Sequence, residues 1–204
     1  MKIRAIILTI TICFLLVPDV LAEVPYEIAG FKLGDNIEDY HDKIRMETVL
    51  PIRYAESLKE VEIRSIPGYK SGLITYGECA VPGRILRINL KYEDFSRKFY
   101  NKLLNKFKKR FGRPDRWRGD PFHVLVAWKW SFTDDNGNRI SMVLQHNVED
   151  ATRKVGNVLK MSVVNFLEEE IECFEKLKSD RGETEIEPRV NRKEHIDWEL
   201  FIPR

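Results

Sequence analysis

Alternating apolar and polar residues mark the middle of the chain as strand-forming. The clearest alternation lies in Ile85–Tyr92, where every second residue is apolar and the residues between are Arg87, Asn89 and Lys91. Residues 73–80 come before it, and Pro82 and Gly83 lie between the two segments. This pattern predicts an antiparallel hairpin with one buried face and one wet face. Shorter candidate strands are residues 53–55 and 61–66.

A second hairpin is predicted around Asp135, Asn136 and Gly137. A two-residue Asn-Gly turn would place tryptophans opposite Val143 and Gln145 and so mix apolar and polar residues on one face. A three-residue turn with Gly137 in the left-handed conformation separates them. Since a one-residue slip exposes large side chains at about 1.5–3 kcal/mol each, we expect the three-residue turn. The expected pairs are Trp130–Met142, Trp128–Leu144 and Phe132–Ile140, with Lys129 and Ser141 on the other face.

Two helices are predicted before the second hairpin. Residues 37–44 form a short helix capped by Asp35 or Asn36. A longer helix follows Asp94 as its cap and ends at Gly112 and Pro114. Its apolar stripe recurs at four-residue steps: Phe95, Phe99, Leu103, Phe107 and Phe111.

Residues 155–178 fit either one helix or a strand followed by a helix. The turn residues at 156–157 and the pairing of Asn165 with Glu168 as a helix cap favour the second arrangement. We therefore expect a third meander strand over residues 158–164. The last helix then covers residues 166–177, with Leu167, Ile171 and Phe174 facing inward.

The first 22 residues have the pattern of an export signal. Lys2 and Arg4 begin an otherwise apolar run, and Ala22 is a small residue before Glu23. The apolar run is too short to span a bilayer, so a cleaved signal is favoured over a retained anchor. The protein is therefore expected to be exported, and to be periplasmic or secreted after cleavage.

The rest of the chain has the size of one domain. Residues 23–178 are predicted to form an α+β domain: a mainly antiparallel sheet of hairpins and a three-strand meander, packed with two or three helices. Residues 179–204 are mostly polar and are predicted to be a disordered tail. The tail ends in an apolar group, the terminal knot, formed by Trp198, Leu200, Phe201 and Ile202. This knot either folds back on its own sheet or docks on a partner by strand addition.

Cys13 lies within the signal, so the mature chain keeps Cys79 and Cys173. An even pair in an oxidising compartment favours a disulfide over two separate buried thiols. The alternative is a thiol-dependent hydrolase that uses Cys79 with His123 or His146. Its nucleophile would have to be a free thiol, and no recognised local signature accompanies these residues.

Bulk charge identifies no partner, because the mature chain holds 32 basic and 31 acidic residues. Local charge is informative: residues 97–118 contain ten basic residues and a single acidic one. They predict an anion-binding surface made of Lys98, Lys102, Lys106, Lys109, Arg113, Arg116 and Arg118. The alternative is a solvated helix face, partly neutralised by the acidic helix that holds Glu168, Glu169, Glu170, Glu172 and Glu175.

No cofactor or metal is predicted. The four histidines lie at 41, 123, 146 and 195, without metal-ligand spacing. Asp134, Asn136 and Asn138 resemble the start of a calcium loop. Arg139 however stands where that loop needs glycine, and Gln145 where it needs a bidentate glutamate.

Two sequence segments resemble segments of small exported α+β proteins. They are the glycine-flanked residues 30–34 before a short helix, and residues 111–115 before a tryptophan-rich hairpin. The families are the outer-membrane assembly lipoproteins of the small protein A type and the β-lactamase inhibitor proteins. The resemblance implies a non-catalytic binding protein whose sheet face or loops contact another protein. The chain departs from the lipoprotein pattern, since Ile12 precedes Cys13 where a small residue is needed.

The sequence thus predicts a non-catalytic binding module of the cell envelope. Its partner is expected to be an envelope protein or an anionic envelope component. Nucleic acid is disfavoured by export, and no transmembrane segment is expected in the mature chain. A purely structural or stress-related envelope protein would leave the same sequence pattern.

Overall fold

A computed structural model describes residues 24–53, 55–147 and 156–181. The export signal and the terminal knot lie outside these residues, as does most of the predicted tail. Within the described part, no helix combines the length and the apolar character needed to cross a membrane.

The described residues have an α+β architecture, as predicted: they form an eight-stranded antiparallel sheet, a two-stranded sheet and two α-helices. The small sheet pairs β1 (Glu27–Ile28) with β2 (Phe31–Lys32), and a 3₁₀ helix (Ile37–Tyr40) follows. The large sheet contains β3 (Ile44–Ile52), β4 (Ala55–Ile63), β5 (Tyr69–Gly77), β6 (Ile85–Tyr92), β7 (Arg116–Trp117), β8 (Leu125–Thr133), β9 (Arg139–Asn147) and β10 (Asn157–Val163). The helices are α1 (Arg97–Phe111) and α2 (Val164–Asp180).

The large sheet consists of two meanders that meet at their last strands. Its spatial order is β3-β4-β5-β6-β10-β9-β8-β7. After the first meander, α1 carries the chain to the far edge at β7, and the second meander returns until β10 pairs with β6. Two strands that are distant in sequence, β6 and β10, thereby become neighbours at the β6–β10 seam.

The register of the second hairpin is the predicted one. Trp128 lies opposite Leu144, Trp130 opposite Met142 and Phe132 opposite Ile140. Gly137 has φ +79°, the left-handed conformation that the three-residue turn requires. The first hairpin and the third meander strand are also confirmed, as β5–β6 and β10, although β5 covers Tyr69–Gly77 and not the predicted residues 73–80.

One face of the sheet carries the hydrophobic core. Trp130, Met142, Leu144 and Leu159 are almost fully buried there, and α1 covers them. Ring contacts fix the helix: Phe107 packs edge-on against Trp130 with centroids 5.9 Å apart, and Phe111 against Phe132 at 5.8 Å. Burial of these large aromatic surfaces is the main force that holds α1 on the sheet.

The start of α1 differs from the prediction. The cap is Ser96, whose hydroxyl accepts a hydrogen bond from the Phe99 amide at 3.1 Å. Asp94 instead accepts from the Ser96 amide at 2.8 Å and so stabilises the turn before the helix. Phe95 therefore lies outside the helix and is 60% exposed, which removes it from the predicted apolar stripe.

The start of α2 also differs. Val163 occupies the cap position without a side-chain hydrogen bond. The predicted cap, Asn165, instead accepts from the Arg139 amide at 2.9 Å and so ties the helix to β9. Ile171 was expected to face inward but is 43% exposed. Its neighbour Glu170, which was not, is only 1% exposed. The helix ends at Asp180, beyond the predicted residue 177.

Near the N-terminus, the predicted helix over residues 37–44 is only the short 3₁₀ helix. Asn36 caps it as expected, by accepting from the Glu38 amide. Ile44 is fully buried and begins β3, where it lies opposite Ile63, because burial of its apolar side chain favours the strand position.

Residues 53–55 were predicted to form a strand, but Arg53 lies in the turn between β3 and β4. Residues 61–63 alone of the predicted 61–66 strand belong to β4.

Candidate functional site

The basic residues of α1 line the outside of the helix. Its inner side is taken by Tyr100 and by the aromatic rings that contact the sheet. Lys98, Lys102 and Lys109 are exposed, and among the described residues no carboxylate pairs with them. Lys106 lines a cleft between α1 and residues 24–32.

Three acidic residues of α2 have partners away from this helix face. Glu168 binds Arg139, and Glu169 binds Arg84 at 2.6 Å. Glu170 accepts from three backbone amides, those of Glu78, Cys79 and Ala80, at 2.6 to 2.9 Å. These three carboxylates therefore serve α2 and the loop after β5.

The strand register separates Arg116 from the helix lysines. Trp117 lies opposite Trp128, and both share the α1 side of the sheet. Arg116 lies opposite Lys129, on the side where the sequence placed Lys129, away from the core. The predicted anion-binding surface is thus divided between two sides of the sheet. Arg113 and Arg118, in the loops that flank β7, are exposed.

Arg116 and Lys129 extend a row of side chains across the second meander. The row continues from Lys129 to Val143 and Lys160, and then to Asn89 on β6. A parallel row runs through Ser131, Ser141, Ser162 and Arg87. We call Arg87, Arg116, Lys129 and Lys160 the basic patch. Its four residues lie on four different strands: β6, β7, β8 and β10.

The charges of the basic patch are uncompensated within the described chain. No described carboxylate lies within ion-pair distance of Arg87, Lys129 or Lys160. Lys160 is partly buried. Loss of solvent lowers the pKa of its ammonium group, and the positive charge of Arg87 lowers that pKa further. An anion bound beside Lys160 would stabilise the charged ammonium group and so oppose both effects on its pKa.

The nearest acidic side chains have other partners. Asp115, beside β7, accepts a hydrogen bond from the Ser131 amide at 2.5 Å. Glu62 on β4 pairs with Arg45, and Glu60 accepts from the Thr75 hydroxyl at 3.1 Å. Strand β5, which adjoins β6, places Leu73 and Thr75 beside Asn89 and Arg87, so it adds no carboxylate next to the basic patch.

A shallow depression of about 260 Å³ lies beside Lys160. Its lining includes the amide side chains of Asn89 and Gln145 and the half-buried Leu73. Two hydrogen-bonding amides next to an ammonium group suit a carboxylate. Sequence reasoning identified Arg116 and the polar alternation of β6, but only the strand order shows that these residues share one surface.

The other chemistry considered from the sequence is placed differently. Cys79 is bonded to Cys173, as predicted, so the thiol-hydrolase alternative lacks its nucleophile. Asp134 accepts from the Tyr26 hydroxyl and from the amides of Asn136 and Asn138, which makes it a hydrogen-bonding centre of the hairpin turn. No group of three or more potential metal ligands occurs among the residues that the structure describes.

His146 is 3% exposed and belongs to the core face, as its strand position predicts. Its Nδ1 lies 2.7 Å from Asn157 Oδ1. Since the Asn157 amide nitrogen donates to the carbonyls of Asp94 and Ser96, its oxygen must accept, and His146 Nδ1 carries the proton. This arrangement joins β9, β10 and the start of α1.

Comparison with known proteins gave no matching family model, curated protein or solved structure. The resemblance to exported lipoproteins and inhibitor proteins therefore stays a prediction.

Proposed function

We propose that this protein is a non-catalytic binding module of the cell envelope, and that its basic patch binds an acidic protein surface. The observation that carries the proposal is the register that groups Arg87, Arg116, Lys129 and Lys160 without a paired carboxylate. The disulfide fits an exported protein, because such bonds persist in oxidising compartments.

The size and composition of the face favour a protein over a lipid headgroup. The seven longer strands have seven to nine residues each and are spaced about 4.8 Å apart, so they make a face about 29 Å wide and about 27 Å long, or about 800 Å². A stable protein complex buries about 800 Å² on each partner. Val143 lies between Lys129 and Lys160, Leu73 lies next to Asn89 at the edge of the patch, and both are partly exposed. Apolar side chains among hydrogen-bonding groups are typical of a protein interface.

The depression beside Lys160 supports a specific contact. A glutamate or aspartate of the partner could accept from Lys160, Asn89 and Gln145 together, which a diffuse charge attraction would not require. The charges of Arg116 and Lys129 would then steer the partner toward this position.

Binding of poly-L-glutamate at low salt tests the charge requirement. We expect the double variant Lys129→Gln with Lys160→Gln to bind at least about tenfold more weakly, because two charge contacts are lost. The matched control is Lys102→Gln with Lys109→Gln on α1, which removes the same charge and should change the affinity less than about twofold. Equal losses in both variants would show that only net charge matters. A larger loss in the control would move anion binding to α1.

Photocrosslinking in the native envelope tests the partner class. A crosslinking amino acid at Val143 should capture a protein, and the product should disappear in the Lys129→Gln, Lys160→Gln variant. The same amino acid at Lys109 on α1 is the control position and should give no such product. Capture of lipid or polysaccharide at residue 143 would overturn the protein partner.

A further inference from the structure

An aromatic cleft lies on the α1 side of the sheet, away from the basic patch. It has a volume of about 530 Å³ and opens between the start of α1 and the β7–β8 hairpin. Its lining includes Arg97, Tyr100, Asn101, Trp117, His123 and Trp128. This volume lies within the range of small-molecule sites.

Two tryptophans form a corner in this cleft. Trp117 and Trp128 lie on paired strands, with ring centroids 4.9 Å apart and planes at 74°. The His123 ring lies 5.5 Å from Trp117, tilted by 54°. All three rings retain solvent exposure. The corner therefore offers ring faces as well as ring edges to a ligand.

The loop that carries His123 is held in place. His123 has φ +57°, an unfavourable conformation for a residue with a side chain. Asp120 secures it: the carboxylate accepts from the Phe122 and Leu125 amides, and the carbonyl accepts from the His123 amide at 3.1 Å. Gly119 allows Trp117 to pack on the loop, because a Cβ at Gly119 would lie 2.2 Å from that ring.

Tyr100, one of the residues that line the cleft, has an unused hydrogen-bonding group. Tyr100 is fully buried, and its hydroxyl has no hydrogen-bond partner among the described residues. Burial raises the pKa of this hydroxyl to about 12, so it is a neutral donor at physiological pH. Nearly all buried hydroxyls in proteins have partners, and a lost partner costs free energy. A ligand acceptor would supply one.

The charges of the lining restrict the ligand. Arg97 lies at the cleft, and the Lys108 ammonium lies 5.8 Å from the Trp128 ring centre. No carboxylate belongs to the described lining. A cationic ligand, which aromatic rings alone could attract, would therefore be repelled.

We propose that this cleft binds a saccharide that carries a carboxylate, such as a uronic acid unit. The C–H face of a pyranose ring packs on aromatic faces, which accounts for Trp117 and His123. Its hydroxyl oxygens accept from Tyr100 and Asn101, and its carboxylate pairs with Arg97. The site is separate from the basic patch, so the proposal does not rest on the proposed protein partner.

Titration of the intrinsic tryptophan fluorescence with a galacturonic acid trimer tests this site, with a neutral galactose trimer for comparison. We expect saturable binding of the acidic trimer and weaker binding of the neutral one. Arg97→Gln should remove this difference between the two trimers. If neither trimer shows saturable binding, the proposal is wrong.

Tyr100→Phe is the decisive variant. Removal of an unpaired buried hydroxyl should leave the melting temperature unchanged or raise it, whereas the affinity for the acidic trimer should fall about 2- to 10-fold. Trp117→Phe keeps part of the packing and should also weaken binding. The control variant Lys102→Gln with Lys109→Gln removes two exposed charges that do not line the cleft and should bind the trimer normally. Unchanged affinity in Tyr100→Phe and Trp117→Phe would show that binding occurs elsewhere.

Discussion

Glu170 is the residue on which the C-terminal part of the fold depends most directly. Its carboxylate is 1% exposed and receives hydrogen bonds from three consecutive backbone amides, those of residues 78–80. A Cβ at Gly77 would lie 2.5 Å from this carboxylate, so the glycine makes room for it. Charge-assisted hydrogen bonds of this kind are among the stronger contacts in proteins.

We expect Glu170→Ala to lower the free energy of unfolding by about 3 kcal/mol or more, because three backbone amides lose a charged acceptor that is itself buried. In a domain of this size that corresponds to a melting temperature lower by about 6–12 °C. Calorimetry measures the change. The matched control, Glu172→Ala, removes an exposed carboxylate from the same helix and should leave the melting temperature nearly unchanged. Equal effects in the two variants would contradict the role of Glu170.

His146 makes stability depend on pH. Burial is the main cause that lowers its pKa below the ordinary 6.5, and the charge of Arg97 adds to this, whereas the hydrogen bond to Asn157 opposes it. Below about pH 6.5 the unfolded chain therefore binds a proton that the folded chain resists. The contribution of neutral His146 is complete above that pH and is lost as the pH falls toward the lowered pKa.

We expect the melting temperature to fall between pH 7 and pH 5 and to fall less in His146→Gln. Thermal unfolding at a series of pH values measures both slopes. His41→Gln replaces an exposed histidine and serves as the control, with the wild-type slope expected. If the wild-type and His146→Gln slopes are the same, His146 is not the group responsible.

At the scale of elements, α1 and α2 are attached to the sheet by different means. Aromatic packing holds α1, and Asn157 hydrogen-bonds the two carbonyls at its start. Phe166 of α2 packs against the core, and polar and covalent contacts complete the attachment of this helix. These are Glu170, the Arg84–Glu169 pair and the Cys79–Cys173 disulfide.

The double variant Cys79→Ser with Cys173→Ser tests the covalent contact. The disulfide joins residues 94 apart in sequence, and a loop of that length is worth about 4 kcal/mol in the chain-entropy description. We expect the urea midpoint to fall accordingly, and reduced wild-type protein to behave like the variant. Non-reducing peptide mapping should recover the two cysteine peptides linked. Two alkylatable thiols in freshly prepared native protein would contradict the bond.

At the scale of the whole molecule, the sheet joins residues that the chain keeps far apart. The β6–β10 seam brings Arg87 beside Lys160, and β7 adds Arg116 at the edge. The proposed protein partner and the proposed saccharide would occupy opposite faces of one sheet. The domain could then bind both at once, without competition for the same side chains.

The ends of the chain give a prediction at this scale, from sequence alone. Export should cleave the chain after Ala22, so N-terminal sequencing of the mature protein should begin at Glu23. A sequence that begins at Met1 would refute cleavage.

If the terminal knot packs on its own domain, deletion of residues 194–204 should lower the melting temperature, since two buried aromatics are worth a few kcal/mol. Unchanged stability would favour a partner peptide.

The sequence by itself determined the local features of the fold. Strand alternation, the Gly137 turn and the hairpin register follow from side-chain periodicity and turn geometry, which act over a few residues. The Cys79–Cys173 bond was predicted because the two cysteines outside the expected export signal make an even pair. The cap at Ser96 was missed because Asp94 and Ser96 both suit such a position, and the choice depends on where the first turn meets the sheet.

Tertiary structure alone decided the strand order, the burial of Glu170 and the two candidate sites. A glutamate in an acidic helix has no local mark of burial, because its three amide donors lie about 90 residues earlier in the chain. Likewise, Arg116 stands in the same basic run as the helix lysines, and pairing with Lys129 turns it to the other side of the sheet. Contacts between distant segments decide such features, and periodicity within one segment carries no information about them.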